Sequence, residues 1–162
     1  MIKLSTEIHS DLTDLIDRAE NSFVELVSIA ETDVVIDEFN IDGEAIRTPK
    51  LHQKYSVMLA KESMALVKYQ QIQKRIYLER WKYYNGKQTD TYYTKYGVFN
   101  EKILKGDIDK YLSADKRFGY SNELLEVQKQ IVNYLERIIK DISHRGFHIK
   151  SVIDYRRFEA GI

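Results

Sequence analysis

Between Pro49 and Gly86 the chain has neither a glycine nor a proline, and no other feature narrows the possible folds as far. A stretch that long without punctuation cannot supply the turns of a many-stranded fold. It can supply a helix, and its apolar residues agree: Leu51, Tyr55, Met58, Ala65, Tyr69, Ile72, Ile76 and Tyr83 fall on one stripe. Thr48 suits an N-cap and Pro49 the first helical position. Asn85-Gly86 is the expected stop. At 1.5 Å per residue the element would span about 55 Å. A helix of that length in 162 residues is either partnered in a bundle or exposed along one side. With one Pro and seven Gly in all, the expected fold is all-α: a long central helix plus C-terminal helices.

The flanks read less sharply. Residues 6–30 repeat apolar positions every three or four (Leu12, Leu15, Ile16, Ala19, Phe23, Leu26, Val27, Ala30) and predict an acidic amphipathic helix. Residues 33–47 break that pattern, with Val34, Val35 and Ile36 as a short extended piece and Asp42-Gly43 as a turn. Residues 87–110 are polar, rich in Tyr and Gly and poorly periodic, which predicts a long loop with one short helix. Tyr92, Tyr93, Tyr96 and Phe99 are its candidate anchors. Ser121-Asn122 can cap a further helix along Leu124, Val127, Ile131, Leu135, Ile138 and Ile142. From Ile131 its spacing is 4, 3, 4, a coiled-coil seam. Gly146 is read as its end. A short last helix from Phe147 to Ala160 follows, with Ile149, Val152, Ile153, Tyr155 and Phe158 available for packing. Four segments result: an acidic arm (1–46), a basic helix (47–87), a loop region (88–120) and C-terminal helices (121–162).

The formal charge is zero overall but unevenly placed. Residues 1–46 hold twelve carboxylates against Lys3 and Arg18, net −10, and residues 47–87 hold ten cations against Glu62 and Glu79, net +8. Such asymmetry points to an electrostatic partner for the basic segment, or to neutralisation of that segment by the acidic arm within the fold. Arg47, Lys54, Lys61, Lys68, Arg75 and Lys82 recur every seven residues. Seven residues fall about 20° short of two helical turns, so these charges make one slowly drifting line beside the apolar stripe. Lys74, Arg80 and Lys87 thicken its C-terminal half, where Tyr69, Tyr77, Trp81, Tyr83 and Tyr84 interleave. Cations that neutralise phosphates, together with flat side chains that stack on unpaired bases, are how single-stranded nucleic acid is held without sequence choice. Aromatics at helical spacing also serve as core, and charge runs as solvated faces. A merely solvated face would mix signs, and this one has almost no acid.

Other chemistry finds no support. There is no Cys, hence no disulfide and no thiolate metal site. Asp141, His144 and His148 approach a metal-ligand spacing, but Gly146 is expected to interrupt the helix between the histidines. No phosphate-binding glycine loop and no nucleophile elbow occur. An enzyme is the least supported class, and no cofactor or metal is expected. Residues 1–10 carry no apolar h-region and no run reaches the ~20 apolar residues of a membrane helix. A soluble internal protein is therefore expected, with no membrane partner.

The C-terminal run Arg145-Gly146-Phe147-His148-Ile149-Lys150, followed by Asp154-Tyr155-Arg156-Arg157-Phe158-Glu159-Ala160-Gly161, resembles the end of the UvsY family, the recombination mediators of T4-like bacteriophages. So do Leu112-Ser113-Ala114-Asp115-Lys116, Asp33-Val34-Val35-Ile36-Asp37, and Arg80-Trp81-Lys82-Tyr83-Tyr84-Asn85-Gly86-Lys87 with its Arg-x-x-Tyr-Tyr-x-Gly pattern. The likeness covers roughly residues 25–161, and the first two dozen residues and parts of 38–47 look like additions.

The resemblance implies a helical protein assembled into a ring-like homo-oligomer. It implies binding to single-stranded DNA, to the phage RecA-like recombinase and to the phage single-strand-binding protein, in the cytoplasm of the infected bacterial host. The family's DNA-binding role falls on Arg80, Tyr83 and Tyr84. Its Lys two positions before that Arg is Leu78 here, and Lys74 and Arg75 one turn earlier are the candidate substitutes. Together with the charge line this gives Lys68, Lys74, Arg75, Arg80, Trp81, Lys82, Tyr83, Tyr84 and Lys87 as DNA-binding candidates. The family's assembly role falls on the C-terminal region: Leu124, Val127, Ile131, Leu135, Ile138, Ile142, Phe147, Ile149 and Phe158. A helical scaffold binding only protein partners is the competing reading, since a coiled-coil seam serves it equally well.

Overall fold

The structure, a computed structural model, describes residues 10–101, 103–104 and 106–161. Five helices follow in order: α1 (Ser10–Asp33), α2 (Ile41–Tyr84), α3 (Asp90–Tyr96), α4 (Ile108–Ser113) and α5 (Lys116–Glu159). No strand occurs among the described residues. The first residues of the expected acidic helix, Thr6 to His9, lie outside the described part.

Helix α2 begins earlier than its proline suggests. Asn40 takes the cap position and accepts from the Gly43 N–H at 3.2 Å. A Cβ at Gly43 would stand 2.4 Å from the Asn40 amide, so the glycine read as a turn is what lets this cap close. Pro49 therefore lies inside α2. Its missing N–H leaves the Ala45 carbonyl without a helical donor, and Ala45 is exposed to water. The stop is where it was expected. Gly86 has φ 65°, and the Lys87 N–H reaches back to the Lys82 carbonyl at 2.9 Å.

Helix α5 departs further from expectation. It starts at Lys116 rather than near Ser121, and it runs through Gly146 to Glu159 without a break. Asp115 caps it, accepting from the Phe118 N–H at 2.9 Å. One glycine in a helix interior costs only about 1 kcal/mol; flanking turns packed through Ile142, Arg145 and Ile149, all buried, outweigh that. The stretch read as a loop with one short helix holds α3 in full, and α4 begins at its end and runs past it. Thr89 caps α3, and Gly97 at φ 83° closes it.

The chain forms two compact units, and each takes a part of α1, α2 and α5. The sequence segments 1–46, 47–87, 88–120 and 121–162 thus do not coincide with compact bodies. The first unit holds residues 10–19 and 66–127. Its buried apolar side chains are Leu12, Ile16, Ala19, Ile76, Leu112, Leu124 and Leu125. The second holds residues 20–65 and 128–161. Its buried set is Leu26, Ala30, Ile41, Leu51, Tyr55, Ile131, Val132, Leu135, Ile138, Ile142 and Ile149. Six of the expected assembly residues are in these sets: Leu124, Ile131, Leu135, Ile138, Ile142 and Ile149. They are buried in the chain's own core, and Val127 is half-buried. Of the expected assembly residues, Phe147 and Phe158 remain exposed.

In the second unit Arg145 is the central polar residue. It is 3 % exposed. Its guanidinium donates to the Glu44 carboxylate and to the backbone carbonyls of Val34 at 2.8 Å and Val35 at 3.0 Å. Residues 34–36 pair with no strand among the described residues; the Val34 N–H reaches back to the Ala30 carbonyl at 3.0 Å, and Arg145 serves the Val34 and Val35 carbonyls.

Candidate nucleic-acid interface

The heptad line on α2 meets two different environments. At its N-terminal end, in the second unit, Arg47 and Lys54 both close on Asp33, at 2.9 and 2.6 Å. Burial pushes the Asp33 carboxyl up, but donors from Lys54 and Tyr55 and the nearby Arg47 outweigh this and hold it below the ordinary carboxylate value. Here the acidic arm neutralises the line. Beyond this end it does not. Lys61, Lys68, Arg75 and Lys82 are exposed, as is Lys74. Among the described residues none of these five has an ion-pair partner.

In the first unit the C-terminal part of α2 presents two faces. One carries Lys68, Arg75 and Lys82 along one side and Lys74 along the other, with half-exposed Leu78 between. Trp81 lies half-buried beside it, and the Lys87 ammonium sits 4.8 Å from the centre of its ring. This face is cationic, partly apolar and open to solvent.

The opposite face is a hydrogen-bonded aromatic cluster. The Tyr83 ring lies within 6.0 Å of Tyr84, Tyr92, Tyr93 and Phe99. The Arg80 guanidinium lies 4.2 Å from the Tyr83 centroid and 5.3 Å from that of Tyr84. Its Nε donates to Asp115 at 2.7 Å and its Nη1 to the Tyr92 hydroxyl at 3.1 Å. Tyr84 donates to the same Asp115 oxygen at 2.8 Å, and Tyr92 to Glu79 at 2.8 Å. Burial, then the carboxylate each hydroxyl serves, raises the pKa of Tyr84 and of Tyr92. The Arg80 side chain is 14 % exposed and its partner Asp115 5 %.

The structure therefore divides the DNA-binding candidates. Lys68, Lys74, Arg75, Lys82, Trp81 and Lys87 are on or beside the open face. Arg80, Tyr83 and Tyr84 are on the inner one. Sequence reasoning missed Asp115, Glu79 and the hydroxyl of Tyr92. One signal was present: an Asp just before a helix is a cap candidate, and Asp115 sits in a run already marked by resemblance. The cap reading went to Ser121-Asn122 and set the boundary there. In the structure Ser121 is buried and donates to the Phe118 carbonyl.

In the second unit α5 is continuous at His144 and His148, so Gly146 does not separate them. Asp141, His144 and His148 line one cavity of about 320 Å³. No group of three possible ligands able to hold a metal occurs among the described residues. No described helix is long and apolar enough to cross a membrane.

No curated protein sequence matches the chain. Solved structures do. Crystal structures of the bacteriophage T4 recombination mediator protein UvsY align at TM-score 0.75 with 22 % identity, covering 84 % of this chain and 98 % of that one. A second lattice form aligns at 0.75 with 24 % identity over 83 % and 98 %. A third aligns at 0.74 with 24 % identity over 84 % and 96 %. At these identities the likeness establishes the all-helical fold. Residues 29–162 match the family described as "Recombination, repair and ssDNA binding protein UvsY". That match takes in the whole of α2 and α5, and with it the open cationic face and the Asp115 cluster, so this chain belongs to the UvsY family.

Proposed function

We propose that the chain is a recombination mediator rather than an enzyme. It binds single-stranded DNA on the open face of α2 and loads a RecA-like phage recombinase onto strands covered by the phage single-strand-binding protein, in the cytoplasm of the infected host. The observation that carries this reading is the row Lys68, Lys74, Arg75 and Lys82: exposed, without ion-pair partners and set beside Trp81. Family membership supports the class of activity. The working form is a ring-like homo-oligomer. Exposed Phe147, Tyr155 and Phe158 on α5, with Phe39 and Ile46 of the same unit, supply the apolar surface that subunit contacts use. Repetition of one modest DNA site around such a ring multiplies affinity through effective concentration.

Salt dependence tests the DNA face directly. Each phosphate neutralised on a single strand contributes about −0.7 to the log–log slope of affinity against salt. Changing Lys74, Arg75 and Lys82 together to Gln is expected to flatten the slope by about 2 per engaged subunit, measured by fluorescence anisotropy. An unchanged slope removes this face from the binding surface.

A further inference from the structure

We infer that Asp115 is a positioning residue for single-stranded DNA binding, and that Arg80 acts through it as part of the aromatic platform rather than as a phosphate ligand. The inference rests on the proposed DNA face and adds a second surface on the opposite side of α2, where the half-buried rings of Tyr83 and Tyr84 would stack on bases of the same strand.

Consider first what a phosphate would find at Arg80. The guanidinium already has a carboxylate at 2.7 Å. A second N–H is given to Tyr92, and one flat side covers the Tyr83 ring at 4.2 Å. A phosphate would have to displace a buried, charge-matched acceptor, while exposed cations without partners stand on the other face of the same helix. Competition favours those. An Arg stacked on a ring and bonded in its plane is suited to orienting that ring, and Lys cannot copy the arrangement.

Asp115 joins three elements of this unit. Its Oδ2 accepts from Arg80 at 2.7 Å and from the Tyr84 hydroxyl at 2.8 Å. Its Oδ1 caps α5 through the Phe118 N–H at 2.9 Å. Its own backbone N–H closes α4 on the Leu112 carbonyl at 3.1 Å. One carboxylate thus fixes the last turn of α2 against the first turn of α5. Rings held in place before DNA arrives lose less freedom on binding. Stacking on them is then stronger with no change in the number of phosphates neutralised.

The test uses the full chain and a fluorescein-labelled single-stranded oligonucleotide, with affinity and salt slope measured for each variant. Asp115→Asn keeps a cap acceptor but removes the charge that Arg80 and Tyr84 share. Arg80→Lys keeps the positive charge but removes the planar stack. Both are expected to weaken binding about tenfold, the scale of one lost base stack, with the slope unchanged. The near-ultraviolet tyrosine circular dichroism should change while far-ultraviolet helicity does not. Tyr84→Phe, which removes one oxygen and keeps the ring, should lose several-fold; it keeps the test decisive if Asp115→Asn folds poorly. Lys82→Gln is the contrast and should flatten the slope by about 0.7. Arg80→Lys with wild-type affinity, or Tyr84→Phe with wild-type affinity, overturns the inference. So does tighter binding with a steeper slope in Asp115→Asn, which would mean that Asp115 merely withholds Arg80 from phosphate. A flat response of Lys82→Gln, alone or with Lys74 and Arg75 changed, sinks the proposed DNA face instead.

Discussion

The two units of this chain enclose the same two long helices and solve the same problem differently. The second is built on aliphatic side chains that recur every three or four residues along α5, around the buried ion pair of Arg145 with Glu44. The first has fewer aliphatics and organises itself through hydroxyls and rings: Tyr84, Tyr92, Tyr83, Tyr93 and Phe99 around Arg80 and Asp115. Aliphatic burial is non-directional and yields a stable body with little surface chemistry. Hydrogen-bonded rings are directional, so the first unit fixes the orientation of the groups on the face of α2 opposite its open cationic one. In the second unit Asp33 neutralises the near end of the cation line. In the first the line is left open.

The largest effect should come from the buried pair of the second unit. Replacing Arg145 by Met leaves the Glu44 carboxylate without its cation and the Val34 and Val35 carbonyls without donors. Breaking a buried pair from one side costs about 3–5 kcal/mol, read as a shift of the urea midpoint of far-ultraviolet circular dichroism. Changing Glu44 to Leu in addition should recover only part, because the carbonyls stay unserved. Full recovery would mean that residues 34–36 do not depend on Arg145, and the contrast between the units would lose its basis.

A smaller and more selective effect is expected from pH. Folding raises the pKa of Tyr84 and Tyr92 in the first unit. It raises that of Tyr55 in the second, through burial and then donation to Asp33. Their neutral forms are the ones the fold prefers. That stability is complete below the ordinary value of 10.0 and is lost as pH climbs above it. Asp33 works the other way: its folded value is depressed, so its contribution is complete above 3.8 and lost as pH falls through the lower folded value. The chain has one Trp, and Trp81 lies in the first unit, so its fluorescence reports that unit alone. On alkaline titration the Trp81 signal should change before bulk helicity does. On acid titration helicity should fall no later than the Trp81 signal. The same order at both ends would show that the units do not differ in this way.

The same contrast explains which parts of the structure were legible in the sequence. Aliphatic spacing gave the stripes of α1, α2 and α5, and Asn85-Gly86 gave the stop of α2, because helix periodicity and a positive-φ glycine are local signals. Pro49, Gly146 and Ser121-Asn122 misled, each for one reason: a local preference of about 1–3 kcal/mol yields to packing on either side. The seam from Leu124 to Ile142 was correctly apolar, but periodicity does not say whether the partner is another helix of the same chain or of a second copy. The aromatic cluster was least legible. Its members were visible as Tyr and Arg, yet the carboxylate that joins them lies thirty-five residues from Arg80 in sequence.

The smallest expected effect separates the chain's own packing from contact with a second copy. Gly119 and Gly146 both lie inside α5, one in each unit, and a Cβ added at either would meet nothing within 4 Å. Replacing either by Ala in an exposed helix position reduces the freedom of the unfolded chain and should stabilise by about 0.4–1 kcal/mol. If the open space is plain solvent in both cases, the two variants will gain alike and assemble alike. Gly146, however, adjoins Phe147, an exposed residue of the proposed subunit surface, and a residue without a side chain admits close approach of a neighbouring backbone. Gly146→Ala should then match Gly119→Ala in thermal stability at concentrations where the chain is monomeric, yet shift the assembly equilibrium toward monomer in sedimentation. Equal assembly of the two variants would place the subunit contact elsewhere on the second unit; weaker assembly of Gly119→Ala alone would move it to the first.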